Sequence, residues 1–309
     1  MEQNRILHSW VDLAKRVLIT GAFGLLGDAV VQELQPHFGL LATGIRVPEN
    51  HPHYCPVQQL DVCDRNQVQR TSQSFKPHVI VNLAAFTDVD RCETEREVAW
   101  NTTVRGTQNL LDAVRRQKVR FIQISSDYIF DGESGPFDET AIPNPINYYG
   151  KTKLGAENVV RGSTDLWLIL RTNVLYGAST RSKANFLQWV VQSLHESNPI
   201  RVVDDQWGNP TWTGGMAEAI RMAIILNARG IFNYGGAEFL TRYQFAQAIA
   251  RVFDLDVSLI HPVSTGELAQ RAPRPLRSGL TTGKIEEVLG LRTYTVEYCL
   301  RKVREGVIV

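Results

Sequence analysis

A tyrosine and a lysine four positions apart form the first pair in this sequence that can move a proton. Tyr149 and Lys153 open a helix-like stretch, and a spacing of four places both side chains on one face of a helix. A lysine ammonium beside a phenol stabilises the phenolate and lowers the pKa of the tyrosine, which allows proton exchange near neutral pH. A Y-x-x-x-K string often arises by chance. Tyr148 has no lysine at the same offset, so Tyr149 is the candidate acid.

Hydroxyl and carboxyl groups follow a predicted strand upstream of this pair. Ser125, Ser126 and Asp127 end the apolar run that begins at Phe121. Open α/β sheets bind their ligands at the C-terminal ends of parallel strands, where a serine hydroxyl can polarise a carbonyl group. The alternative is structural: each serine caps a turn, and Tyr128 packs as a core aromatic residue.

A glycine-rich turn joins the first predicted strand to an amphipathic helix. Gly21, Gly24 and Gly27 are spaced by three, a variant of the G-x-G-x-x-G fingerprint. Glycine permits the sharp turn and lets backbone amides approach a pyrophosphate, while the helix N-terminus offers unpaired N–H groups to the anion. We therefore expect this turn, Phe23 included, to face a dinucleotide.

The second predicted strand bears on which dinucleotide binds. A site selective for NAD usually has Asp or Glu at the end of this strand to hold the ribose 2′-hydroxyl, and none stands there. Arg46 can instead pair with a 2′-phosphate, which favours NADPH over NADH, unless it is a solvated loop charge. Asp61 is a candidate for the adenine amino group or, alternatively, for a helix cap.

Composition narrows the class of protein. The 309 residues are 43% hydrophobic and 21% charged, as in globular proteins, and 33 basic against 32 acidic residues leave no excess charge for binding nucleic acid. No apolar run is long enough to cross a bilayer, and the four cysteines form no disulfide-like pattern. We expect a cytoplasmic protein that binds a small molecule, without a nucleic-acid or membrane partner, and a homodimer as the commonest oligomer.

Apolar runs alternate with helix-like segments and predict the fold. The predicted strands are residues 16–20, 40–43, 79–82, 121–125 and 168–171, and helix-like stretches include 149–161 and 241–253. This alternation predicts an α/β protein with a Rossmann-like, doubly wound parallel sheet. We expect an N-terminal tail (1–14), a dinucleotide-binding domain (15–171) and a smaller C-terminal substrate lobe (172–309), part of which returns to the main sheet.

Three motifs occur here in the order typical of extended short-chain dehydrogenase/reductases. They are the glycine turn, the serine at the end of a strand and the Y-x-x-x-K pair. The chain resembles that superfamily from Arg16 onward, and within it the dTDP-4-dehydrorhamnose reductases. The similar blocks are Asn82–Asp90, Ser126–Gly132, Tyr149–Leu154, Asp205–Thr213 and Arg274–Leu280.

The resemblance implies reduction of the 4-keto group of a nucleotide-linked 4-keto-6-deoxy sugar by NADPH, or by NADH. It implies a catalytic triad of Ser126, Tyr149 and Lys153, of which Tyr149 and Lys153 also contact the cofactor. The other cofactor residues that it implies are Leu25, Leu26, Gly27, Asp61, Val62, Ala84 and Ala85. The substrate side would include Thr87, Ser126, Asp127, Tyr128, Trp212 and Arg274. Arg274 or Arg277, in a stiffened proline loop, is our candidate for the diphosphate, unless both are simply exposed basic residues.

The chain departs from the reductases at one position beside the expected substrate. Asn173 and Val174 stand where those enzymes usually carry Ser-Trp, so we expect a wider pocket and looser discrimination among sugars. The regulatory β subunit of methionine adenosyltransferase, a non-catalytic protein that binds NADP and a partner enzyme, has a similar pattern. A regulatory protein therefore stays the alternative.

One loop carries metal-ligand residue types. His51, His53 and Cys55 alternate there, but Pro52 and Pro56 make a solvated turn the simpler interpretation, and no second cluster completes four ligands. We expect no metal site.

Overall fold

The computed structural model describes residues 12–49, 51, 55–178 and 185–306. The strands are β1 (Asp12–Thr20), β2 (Phe38–Gly44), β3 (Val57–Gln59), β4 (Val79–Asn82), β5 (Arg120–Ser126), β6 (Trp167–Thr172), β7 (Leu175–Tyr176), β8 (Ile200–Val203), β9 (Trp207–Gly208), β10 (Thr211–Trp212), β11 (Gly230–Tyr234), β12 (Leu240–Thr241) and β13 (Ile260–Val263). Most of the predicted N-terminal tail lies outside the described residues, and β1 begins within it, at Asp12.

The helices are α1 (Leu25–Leu34), α2 (Arg65–Phe75), α3 (Val89–Thr94), α4 (Arg96–Trp100), α5 (Gly106–Val114), α6 (Tyr148–Ser163), α7 (Phe186–His195), α8 (Thr213–Ile225), α9 (Arg242–Val252), α10 (Thr265–Leu268), α11 (Gly283–Leu289) and α12 (Val296–Arg304). A π-helical segment, Asn101–Arg105, joins α4 to α5. Short 3₁₀ turns cover Asp127–Ile129 and Val257–Leu259.

Seven parallel strands form the central sheet, in the order β11-β6-β5-β4-β1-β2-β3. The chain moves outward from β1 to β2 and β3, then crosses back to β4 and continues in the opposite direction. This confirms the predicted Rossmann-like, doubly wound sheet. Such a reversal leaves a crevice at the C-terminal ends of β1 and β4, where ligands bind in sheets of this kind.

Alternating side chains of the strands build two apolar layers. In β1, Val17 and Ile19 pack on one face and Leu18 on the other, as the twofold repeat of a strand requires. Helices α1, α8 and α11 cover the first face, and α2, α5 and α6 cover the second. Both faces are buried, which explains why the strands read as continuous apolar runs.

The C-terminal part of the chain contributes both to the main sheet and to a separate apolar cluster. Strand β11 pairs with β6 at the sheet edge, and α8 packs on the first face. Helices α7, α9 and α12 enclose a second cluster around Phe245 together with β8 and β13. This cluster stands beside the crevice. Among the described residues, no helix is long and apolar enough to span a membrane.

Candidate active site

A cavity of about 830 Å³ lies along the C-terminal ends of the central strands. This volume is typical of pockets that hold a cofactor or a sizeable ligand. Most of the residues predicted for the site line it, namely Gly21, Gly24, Leu25, Leu26, Gly27, Asp61, Val62, Ala84, Ala85, Thr87, Ser126, Asp127, Tyr128, Tyr149 and Lys153. Phe23, Arg46, Trp212 and Arg274 are not among the lining residues.

The glycine turn has the geometry that a dinucleotide requires. Gly21 adopts φ +65°, and a Cβ on Gly27 would stand 2.5 Å from the Ala22 carbonyl group, so both positions exclude other residues. The N-cap of α1 is Gly24, which provides no side-chain hydrogen bond to the first turn. The first-turn residues Leu25, Leu26 and Gly27 line the cavity, where uncapped N–H groups suit a phosphate. These residues fit a dinucleotide cofactor.

The end of β2 carries no acidic group. Gly44 and Ile45 line the cavity, and Phe23 packs so closely that a Cβ on Gly44 would stand 2.7 Å from its ring. Arg46 is exposed beyond them. Asp61 does not cap α2, since Asp64 does so, and its carboxylate instead accepts a hydrogen bond from the Cys63 amide at 2.8 Å.

Helix α6, which carries Tyr149 and Lys153, is held at its N-terminus by side-chain contacts. The Asn147 side chain accepts a hydrogen bond from the Gly150 amide (2.8 Å) and donates one to the Pro273 carbonyl (2.9 Å). A Cβ on Gly150 would stand 2.0 Å from the Tyr128 carbonyl oxygen, so glycine is required there. The cap and this close approach fix Tyr149 beside the end of β5.

Tyr149, the predicted acid, lines the cavity. Its ring lies edge-on to the Tyr128 ring, with 5.8 Å between their centroids. Desolvation raises the pKa of the Tyr149 hydroxyl, and a hydrogen bond with Ser126 opposes that rise. The sequence predicts a lowered pKa for Tyr149, and this prediction is wrong because desolvation by burial dominates. Tyr149 is thus protonated at neutral pH, the state from which it can donate a proton.

Lys153 is buried directly behind Tyr149. Its ammonium group donates a 3.0 Å hydrogen bond to the Ile124 carbonyl oxygen in β5. Desolvation lowers the pKa of Lys153 to about 8, and the nearby Glu157 carboxylate opposes that shift. Glu157 is itself held by Arg171 in β6 through two hydrogen bonds of 2.9 and 2.8 Å. The sheet therefore fixes the position of the lysine through several contacts.

Asp127 is a buried carboxyl group next to Ser126. Ser126 donates a 3.0 Å hydrogen bond to one of its oxygens, and Ser278 donates to the other. Desolvation raises the pKa of Asp127 to about 6, although both hydroxyl groups act against the rise. Ser278 comes from the C-terminal part of the chain, so this carboxyl group links the two sides of the cavity.

Trp212 and Arg274 lie elsewhere than their expected positions at the substrate. Trp212 packs edge-on against Tyr294, at 5.9 Å between ring centroids, in the apolar cluster around Phe245. The guanidinium of Arg274 forms a 2.8 Å ion pair with Asp90 and donates to the Ala272 carbonyl. Because this pair already neutralises Arg274, the structure gives it a bracing role between α3 and the proline loop.

Two lining residues escaped the sequence analysis as binding groups. Arg242 begins α9 and reaches the cavity beside Tyr128, and Asn173 follows β6. Arg242 belongs to no motif near the glycine turn, so only the folded chain brings it there. Asn173 could have been found through its departure from the Ser-Trp pattern.

No group of residues that could hold a metal ion occurs in the described part of the chain. His51 is buried with its ring edge-on to Phe23, at 4.9 Å between centroids. Cys55 is a free thiol, and His53 lies outside the described residues.

Comparison with known proteins identifies the family. Residues 15–306 match the family model described as the RmlD substrate binding domain. The chain belongs to this family. Among curated RmlD relatives, it is 31% identical to dTDP-4-dehydrorhamnose reductase of Aggregatibacter actinomycetemcomitans, over 94% of this chain and 98% of that protein.

Two further relatives of this RmlD-family chain bear on cofactor and activity. The crystal structure of dTDP-4-dehydrorhamnose reductase from Bacillus anthracis in complex with NADP matches with a TM-score of 0.82 and 28% identity, over 95% of this chain and 99% of that chain. Methionine adenosyltransferase 2 subunit beta of Xenopus tropicalis is 33% identical, over 90% of this chain and 84% of that protein.

Proposed function

We propose that this chain is an NADPH-dependent reductase of the 4-keto group of a nucleotide-linked 4-keto-6-deoxy sugar. The observation that carries the proposal is that Tyr149, Ser126 and Lys153 line one cavity together with the dinucleotide turn. The raised pKa of Tyr149 agrees with a proton donor. The names of the reductase relatives support the substrate class, and the NADP complex of one of them supports the cofactor.

When bound, the reduced nicotinamide supplies a hydride to the carbonyl carbon. Ser126 would orient the carbonyl oxygen by redirecting its hydroxyl hydrogen from Asp127 to that oxygen. Tyr149 gives its proton to that oxygen as the C=O π bond breaks, which leaves an alcohol and a tyrosinate that solvent reprotonates. Lys153 stabilises the tyrosinate with its positive charge and holds the nicotinamide ribose.

The glycine turn at Gly21–Gly27 would hold the pyrophosphate, and Asp61 and Val62 would line the adenosine end. Arg46 would stand near a 2′-phosphate, which supports NADPH over NADH. Asp127 and Tyr128 would face the sugar. Val174 leaves space where related enzymes carry tryptophan, so the pocket would accept several 4-keto sugars.

A second function is a regulatory subunit that binds NADP without turnover, which the methionine adenosyltransferase relative favours. Intact Ser126, Tyr149 and Lys153 weigh against it, since a binding protein needs no buried acid.

The four free cysteines support a cytoplasmic protein. We also expect a homodimer.

The experiment follows NADPH absorbance with purified protein and dTDP-4-keto-6-deoxy sugars. Reduction of the nucleotide-linked sugar, with far slower reduction of the free keto sugar, supports the enzyme. Tight NADPH binding without any reduction would favour the regulatory subunit.

A further inference from the structure

Two basic side chains line the cavity within the described part of the chain, Lys153 and Arg242. Lys153 is committed to the Ile124 carbonyl and to Tyr149. Arg242 is half-buried, and no described carboxylate lies within 4.0 Å of its guanidinium. A half-buried cation without an acidic partner is uncommon, because its desolvation is not balanced by an ion pair.

The position of Arg242 on its helix adds to that cost. It is the first residue of α9, where Thr241 and Gln244 form a complete capping box. A positive charge in the first turn opposes the helix dipole, which favours anions at this end. Helix stability therefore does not explain an arginine here, whereas an anion bound in the cavity would.

The surroundings of Arg242 aim its charge at the substrate side of the cavity. The guanidinium carbon lies 5.4 Å from the centre of the Phe186 ring, and the group contacts the Tyr128 hydroxyl. Asp127, an acidic group that the charge of Arg242 influences, accepts hydrogen bonds from Ser126 and Ser278 on its two carboxylate oxygens.

Asn173 provides a second, independent observation. Its side chain is 6% exposed, and its Oδ1 accepts a hydrogen bond from the Val174 amide at 2.9 Å. Its buried Nδ2 donates to no group in the described part of the chain. A buried donor without an acceptor is unfavourable unless a ligand or a water completes it.

Asn173 and Arg242 also share a second, small cavity behind Tyr128. Its volume is about 20 Å³, which holds one water molecule and no larger group. A ligand that reaches both donors must therefore enter from the main cavity.

The other two arginines near the substrate side, Arg274 and Arg277, do not line the main cavity. Arg274 is paired with Asp90, and Arg277 lies over the rings of Trp207 and Phe239, 5.4 Å from each centre. Arg242 is thus the best-placed cation to bind an anionic ligand group in the main cavity.

We propose that Arg242 and Asn173 form an oxyanion subsite that binds the diphosphate of the sugar nucleotide, an assignment that rests on the proposed function. Arg242 supplies charge and paired N–H groups, and Asn173 supplies the Nδ2 donor. The subsite orients the sugar by its anionic linkage.

Calorimetric titration with thymidine diphosphate, in the presence of saturating NADP⁺, tests this subsite. Arg242→Gln removes the charge, and Asn173→Asp replaces the donor by an anion of the same size that can still accept from Val174. We expect either change to weaken thymidine diphosphate binding by about 10-fold or more, as for hydrogen bonds to charged groups. Arg251→Gln, an exposed arginine on the same helix, is the matched control and should change nothing.

Thymidine without phosphates should bind all four proteins equally, and an unchanged Kd for NADP⁺ shows that the variants are folded. Wild-type protein that binds no thymidine diphosphate, or variants that bind it as tightly as wild type, would overturn the subsite. Arginine-dependent binding without any keto-sugar reduction would instead reject the proposed reductase and keep the subsite. Reduction of the keto sugar by Arg242→Gln with an unchanged KM would instead reject the subsite and keep the proposed reductase.

Discussion

The ammonium group of Lys153 lies 5.9 Å from the centre of the Tyr149 ring, at the same time donating a 3.0 Å hydrogen bond to the Ile124 carbonyl. One contact is made within helix α6 and the other reaches strand β5. The acid and its supporting cation are therefore fixed by helix and sheet together, before any ligand enters. Such preorganisation suits a group that must stabilise charge appearing during the reaction.

Replacing Tyr149 by Phe removes the proposed acid with little change in shape. We expect kcat to fall by roughly 100-fold or more, the range that general acid catalysis supplies, with NADPH affinity little changed. Steady-state kinetics and fluorescence titration of NADPH measure the two quantities. Tyr148→Phe, the adjacent phenol, is the control and should keep its turnover. Near-wild-type kcat in Tyr149→Phe would remove Tyr149 from the acid role.

Lys153→Met should lower both turnover and cofactor affinity, because we assign the ammonium group to the tyrosinate and to the ribose. A kcat loss of roughly 100-fold and a Kd increase of about 10-fold are expected. Lys151→Met, an exposed lysine on the same helix, provides the comparison. If only one of the two quantities changes, the double role is wrong.

Arg46→Ala tests the cofactor preference. Wild-type protein should bind NADPH more tightly than NADH, and the substitution should erase that difference while leaving NADH binding unchanged, since only NADPH carries a 2′-phosphate. Titration of both cofactors decides the matter, with Arg70→Ala, on the exposed face of α2, as control. A wild-type preference for NADH would contradict the account.

Asp127 should impose a pH dependence on stability. Its pKa is raised from 3.8 to about 6, so between those values the folded protein holds a proton that the unfolded chain has lost. The stabilisation present below pH 4 is therefore lost as pH rises through 6. Asp127→Asn has no such ionisation, so its stability should not fall over this range. The free energy of unfolding of the variant minus that of wild type should therefore increase by roughly 3 kcal/mol between pH 4 and 7.

Urea denaturation of both proteins across that pH range measures the difference. A difference that stays constant with pH would show that Asp127 ionises as readily in the folded protein as in the unfolded chain.

Local patterns predict five strands of the central sheet, the glycine turn and the Tyr149–Lys153 pair, because each depends on residues close in sequence. They miss the sheet strands β3 and β11. The ion pair of Arg274 with Asp90 joins residues 184 positions apart, and no local sequence pattern predicts such a contact. Arg242 is likewise not predictable from local sequence, because it reaches the cavity only when the fold brings the start of α9 beside Tyr128. Burial also reverses the expected direction of the Tyr149 pKa, since desolvation depends on the whole fold.

The most direct test of the central claim is the fate of the hydride. The protein is incubated with NADPH deuterated at nicotinamide C4 and a dTDP-4-keto-6-deoxy sugar, and the product is analysed by mass spectrometry and NMR. The account predicts a sugar with one deuterium on C4, formed by wild-type protein and far more slowly by Tyr149→Phe. An unlabelled, unreduced sugar in the presence of bound NADPH would contradict it.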